Sequence, residues 1–122
     1  MTLTTGSGTG IWTEVCSVTG MTPDRGVAAI VDGEPVAVFL LSDCGADGDG
    51  EVLAIDHVDP FHGVGVLARG LVGSVGDRTV VASPLLKQRF DLRTGECLDD
   101  PSMAVQTWDV EVDEGWVRVR RH

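Results

Sequence analysis

TWDVEV (107–112) and GWVRVRR (115–121) both alternate apolar and charged residues, and Glu114-Gly115 stands between them as a two-residue turn. Folding the chain back on that turn sets Val112 against Val117, Glu111 against Arg118, Val110 against Val119 and Asp109 against Arg120. Every valine then meets a valine and every acid an arginine. A slip of one residue would send both sets to the wrong faces, so the pattern specifies one register. The spacing predicts an antiparallel hairpin with its valines inward and its ion pairs outward.

The same signal recurs upstream. GVAAIV (26–31) and PVAVFLLS (35–42) flank Asp32-Gly33, an Asp-Gly turn dipeptide of the kind that accepts φ > 0 at both central positions. GIWTEVCSV (10–18), EVLAID (51–56), TVVAS (79–83) and QRFDL (88–92) are further short β-type runs. GVGVLARGLVG (63–73) reads as one helical turn or a tightly packed loop. No long run has helical period. The chain is therefore expected to be all-β, an antiparallel sandwich or small barrel of roughly eight to ten short strands. Residues 1–9 read as a disordered lead-in and 10–122 as one domain; no repeat or linker divides them.

Bulk properties narrow the function. Apolar residues make up 43% of the 122, enough for one core without metal or disulfide staples. A formal charge of −10 disfavours nucleic acid and anionic membrane as partners, since both need clustered Lys and Arg. No stretch approaches the ~20 apolar residues that span a bilayer, and MTLTTGSGTG has no secretory pattern. Cys16, Cys44 and Cys97 are widely spaced and odd in number, which fits free thiols in the cytoplasm.

Enzyme signatures are sparse. GSGTG (6–10) lacks the strand and helix that a dinucleotide fingerprint needs. No nucleophile elbow is present, and neither Cys16 nor Cys44 has an evident activating neighbour. SDCGADGDG (42–50) holds three aspartates but not the spacing of a calcium loop, so it reads as a flexible acidic loop. AIDHVDPFHG (54–63) is the richest stretch. Asp56, His57, Asp59 and His62 are the ligand types of zinc or non-haem iron. In an extended chain His57 and Asp59 would project to one side and Asp56 to the other. A mononuclear metal site built from these four residues and a polar strand end before an Asp-Pro turn both remain open readings.

AIDHVDPFHGVGVLARG (54–70), followed by VASPLLKQRFDLRTGEC (81–97), resembles the two cluster loops of a Rieske-type domain. In that family the loops carry Cys-x-His and Cys-x-x-His, and the second continues into a Phe-Asp-Leu, x, Thr-Gly turn, matched here by RFDLRTG (89–95). Asp59 and Phe61 stand at the first pair of ligand positions, Ser83 and Leu86 at the second. A Rieske centre needs two thiolates and two imidazoles, and these four residues supply none of them. The resemblance thus implies a Rieske-like fold with no iron–sulfur cluster, its vacated site closed by Phe61 and Leu86.

Within that superfamily the chain resembles the small subunit of assimilatory NAD(P)H-dependent nitrite reductase. The matching pieces are WTEVCSV (12–18), GVAAIVDGEPVAVF (26–39), AIDHVDPF (54–61), VLARGLVG (66–73) and VVASPLLKQRFDLRTGEC (80–97). The resemblance implies a cytoplasmic complex that reduces nitrite to ammonium in nitrate assimilation. Its large subunit would carry the flavin (FAD), an iron–sulfur cluster and sirohaem. The small subunit would hold no cofactor or metal, catalyse nothing alone, and act as a structural or regulatory partner. Function would then lie on the tip formed by the two loops: Pro60, Phe61, His62, Leu85 and Lys87, with Arg69 and Arg89 as cations for carboxylates of the large subunit. For Arg69 a second role stays open, as an internal strut to Asp59 or to backbone carbonyls. A Rieske-type electron-transfer ferredoxin is the alternative to the subunit reading, beside the mononuclear metal protein.

Overall fold

The computed structural model describes residues 12–41, 51–85 and 87–121. The lead-in 1–9, the acidic stretch 43–50 with Cys44, and Leu86 lie outside the described residues.

The C-terminal hairpin has the register read from its sequence. β10 (Thr107–Asp113) and β11 (Trp116–Arg120) pair with Val112 opposite Val117, Glu111 opposite Arg118, Val110 opposite Val119 and Asp109 opposite Arg120. Glu114 and Gly115 both have positive φ, 52° and 82°, as a two-residue turn of this hand requires. Val117 and Val119 are fully buried, while Arg118 reaches Glu111 and Asp113, and Arg120 reaches Asp109. One valine departs from the expectation: Val112 is 50% exposed, because it sits where the hairpin runs past the core.

β2 (Arg25–Val31) and β3 (Glu34–Leu41) form the second hairpin about Asp32-Gly33, again with both turn residues at positive φ. β1 (Thr13–Ser17) pairs with β11 through a bulge between Glu14 and Cys16. β4 (Glu51–Asp56) joins β3 to β10. The result is a six-stranded antiparallel sheet in the order β1-β11-β10-β4-β3-β2, whose outer strands β1 and β2 return towards each other and nearly close a small barrel.

β3 explains why its sequence is apolar at almost every position. Val36, Val38 and Leu40 point into the barrel with Val52, Ala54, Trp108, Val117 and Val119. The alternate residues, Ala37, Phe39 and Leu41, point the other way into a second core with Ile55, Leu67, Val81, Phe90 and Leu92. A strand covered on both faces has no polar side to show.

The second core belongs to a smaller layer. β5 (Val58–Asp59) pairs with β6 (Val64–Gly65), a 3-10 turn spans Leu67–Arg69, and β7 (Leu71–Val75), β8 (Arg78–Ala82) and β9 (Arg89–Asp91) form a three-stranded sheet. The segment 63–73, read as a helical turn or loop, thus holds a short strand, that turn and the start of β7. Among the described residues there are eleven strands, and two of them are two residues long, which accounts for the excess over the expected number. Two glycines let the layers meet. A Cβ on Gly26 of β2 would stand 2.4 Å from the Ala68 carbonyl oxygen, and one on Gly95, at φ 81°, would stand 2.0 Å from that of Val105.

Candidate functional site

Two loops of the smaller layer meet at one end of the molecule. The first leaves β4 at His57 and runs to Gly70. The second runs from Ser83 to Gln88, between β8 and β9. Asp59 organises the first: its Oδ1 accepts from the Phe61 N–H at 2.8 Å, and its carbonyl oxygen accepts from the N–H groups of His62 and Gly63. Pro60 can follow because this turn asks no hydrogen from position 60. In the second loop the Ser83 carbonyl accepts from Lys87 N–H, and Ser83 N–H donates to the Gln88 carbonyl. Lys87 takes positive φ, 68°, to close that turn.

The loops are joined by one short hydrogen bond. The Ser83 hydroxyl donates to Asp59 Oδ2 at 2.6 Å, and both side chains are fully buried. Next to it Phe61 is half-buried against the second core, its ring 6.2 Å from that of Phe90. These positions cannot furnish the donors of a [2Fe–2S] centre: Asp59 and Ser83 spend their oxygens on each other and on backbone N–H groups, and Phe61 and Leu86 have no donor atom. The polar link between Asp59 and Ser83 was not anticipated.

The four candidate metal ligands are dispersed. Asp56 turns to β10, accepting from Trp108 Nε1 at 2.9 Å and from Gln106 N–H at 3.1 Å. His57 lies in a bend between β4 and β5, so the strict alternation expected of it fails there. Its Nδ1 accepts from Ala68 N–H at 3.1 Å and hangs the 3-10 turn onto the end of β4. Burial, and then the nearby charge of Arg69, hold the His57 pKa below its ordinary value. His62 is exposed, 3.8 Å from Asp59. Among the described residues no three His, Cys, Asp or Glu side chains converge on a metal-sized space.

The continuation RFDLRTG has a clear structural task. Burial would raise the Asp91 carboxyl, but a hydrogen bond from Arg78 and backbone N–H groups of Arg93 and Thr94 override it and hold the pKa below the usual range. Asp91 thereby caps the turn that Gly95 completes.

The cations separate into two sets. Of nine Lys and Arg residues, Arg78, Arg89, Arg93, Arg118, Arg120 and Arg121 each reach a carboxylate. Arg89, a candidate for the partner interface, donates from its backbone N–H, Nε and Nη2 to the Asp99 carboxylate. Arg25, Arg69 and Lys87 have no ion pair among the described residues, and all three are exposed. The alternative role of Arg69, as a strut to Asp59 or to backbone carbonyls, is not seen among the described residues, where Asp59 is held by Ser83 and Phe61. Leu85 is 39% exposed beside Lys87, and Pro60 is half-buried. Sequence reasoning missed Arg25, which no spacing or motif connects with Arg69.

Comparison with known proteins agrees with this geometry. Residues 11–120 match the family model of the Rieske-like [2Fe-2S] domain. The nitrite reductase (NADH) small subunit of Salmonella typhimurium is 39% identical over 111 residues, covering 89% of this chain and 96% of the relative. A nitrite reductase [NAD(P)H] large subunit from Klebsiella oxytoca matches at 34% over 108 residues, 88% of this chain but only 11% of that protein. A crystal structure of a Mycobacterium tuberculosis chain described as an NADH-dependent nitrite reductase small subunit superposes with a TM-score of 0.84 at 43% identity, covering 92% of this chain and 96% of that one.

Proposed function

Because the chain belongs to the nitrite reductase (NADH) small-subunit family of Rieske-like domains, we propose that it serves as the small subunit of a cytoplasmic NAD(P)H-dependent nitrite reductase that forms ammonium for assimilation. It holds no redox group and catalyses nothing by itself. FAD, sirohaem and an iron–sulfur cluster belong to its large subunit. The observation that carries this reading is the Asp59–Ser83 hydrogen bond at the loop tip. Where a redox domain of this fold would use metal to join its two loops, this chain joins them with a buried carboxylate and hydroxyl, so the tip keeps its shape as a binding surface.

On that surface Leu85 is exposed and Pro60 half-buried, with His62 and the cation Lys87 exposed beside them. Such a surface suits a protein partner. Phe61 contributes by supporting the loop from beneath rather than by direct contact. Arg89 contributes in the same way through Asp99.

The test is co-purification. Affinity-tagged chain drawn from its own cells should bring down a sirohaem-containing protein in stoichiometric amount, while the isolated chain should be colourless and without iron. Lys87→Glu should weaken that association with no change in melting temperature. Iron and sulfide in stoichiometric amount in the native chain, or no sirohaem partner, would overturn the reading.

A further inference from the structure

A cleft of about 350 Å³ opens between Asp24–Gly26, at the start of β2, and Ala68–Leu71. Glycines shape it. Gly26 lets β2 lie against the Ala68 carbonyl, and a Cβ on Gly70 would stand 2.4 Å from the Ala82 carbonyl oxygen, so both walls approach more closely than any side chain would allow. Arg25 and Arg69 line the opening, from segments far apart in sequence. Asp24 also lines it, so among the described lining residues the cations outnumber the carboxylates by one.

The surplus is unusual for this molecule. The chain has 19 carboxylates and nine cations, and six of those cations are already paired. Two of the three that form no ion pair among the described residues share this cleft. A guanidinium is a planar fork that matches a carboxylate by two parallel hydrogen bonds, so an opening lined by two arginines suits carboxylates. The rim adds Leu71, 72% exposed. Arginine beside an uncovered aliphatic side chain is the composition of a protein-binding anchor more than of a small-anion pocket, where exposed leucine would gain nothing.

We propose that this cleft docks an acidic segment of the large subunit, with Arg25 and Arg69 gripping its carboxylates and Leu71 covered by an adjoining apolar side chain. The inference rests on the small-subunit reading above and adds to the loop tip a second contact, continuous with it through the turn that His57 suspends.

The experiment compares wild type with Arg25→Gln/Arg69→Gln for binding to the purified large subunit, by calorimetry at low and moderate salt. The double variant should bind at least about tenfold more weakly and show a flatter salt dependence, as expected when interfacial charges are lost. Both residues are exposed and form no ion pair among the described residues, so its melting temperature should equal that of wild type. Leu71→Ser should weaken binding without altering the salt dependence. Equal affinity of wild type and double variant would overturn the docking site while leaving the subunit reading intact. Failure of wild type to bind any sirohaem chain would overturn both. Occupancy of the cleft by free succinate, with large-subunit affinity unchanged in the double variant, would make it a small-anion site and likewise overturn the proposal.

Discussion

Asp59 and Ser83 at the loop tip, and Glu111 and Arg118 on the C-terminal hairpin, are both polar pairs that tie neighbouring segments together, but their surroundings give them different weights. The first pair is fully buried and 2.6 Å apart. The second is about one-third exposed, 3.5 Å apart, and Arg118 shares itself among Glu14, Glu111 and Asp113. In water a lost contact is replaced by solvent. In the core it leaves a polar atom with nothing. The buried pair should therefore hold the architecture of the tip, and the exposed pairs should help only to select a register that the valines already favour.

The largest effect that can break this contrast is at Ser83. Ser83→Ala leaves one buried oxygen of Asp59 without its partner and should lower stability by about 2–3 kcal/mol. Adding Asp59→Ala should cost much less than the sum of the two single changes, with a coupling of about 1–3 kcal/mol in a denaturant-melt cycle. An additive cycle would show that the hydrogen bond contributes nothing beyond packing. Phe61→Ala comes next. The ring is half-buried against Phe90, so about 1–3 kcal/mol is expected, below the range for a fully enclosed Phe. A cost near zero would mean that the ring stabilises the tip less than the hydrogen bond beside it does.

His57 supplies a pH arm. Its folded-state pKa is below the unfolded value near 6.5, through burial first and the Arg69 charge second. The folded chain thus binds fewer protons than the unfolded chain as pH falls. The contribution of neutral His57 is complete above about pH 6.5 and is lost as the pH drops towards the folded pKa. Melting temperatures between pH 7.5 and 5 should fall more steeply in wild type than in His57→Gln, and identical slopes would remove His57 as the strut of the 3-10 turn. The smallest effect belongs to the hairpin. Glu111→Gln should change stability by about 0.2–1 kcal/mol, shrinking further in 0.5 M salt. A larger loss, insensitive to salt, would mean that the exposed pairs do more than help to set register.

How much of this was legible follows the distance between interacting residues. Both hairpins were readable because two β-type runs flank a turn dipeptide within about a dozen residues, and in the C-terminal one strict alternation adds the pairing rule. The continuous apolar run of β3 signalled a buried strand but not that it divides two cores. The ligand positions at Asp59, Phe61, Ser83 and Leu86 were readable as chemistry, since Phe and Leu have nothing to donate. That Asp59 and Ser83 would bond to each other was not. Arg69 and Arg89 looked alike in sequence, as cations of the same smaller layer. Only the fold sets Asp99 beside Arg89 and leaves Arg69 open.

The sequence by itself determined the antiparallel class, the register of the C-terminal hairpin, the turn of the second and a tip without thiolates or imidazoles at the ligand positions. Those properties depend on residue type and on neighbours a few positions apart. The tertiary structure alone decided the Asp59–Ser83 link, the dispersal of Asp56, His57, Asp59 and His62, and the cleft shared by Arg25 and Arg69. Each of these depends on which side chains meet after distant segments have packed, and on whether water or protein then fills the space around them.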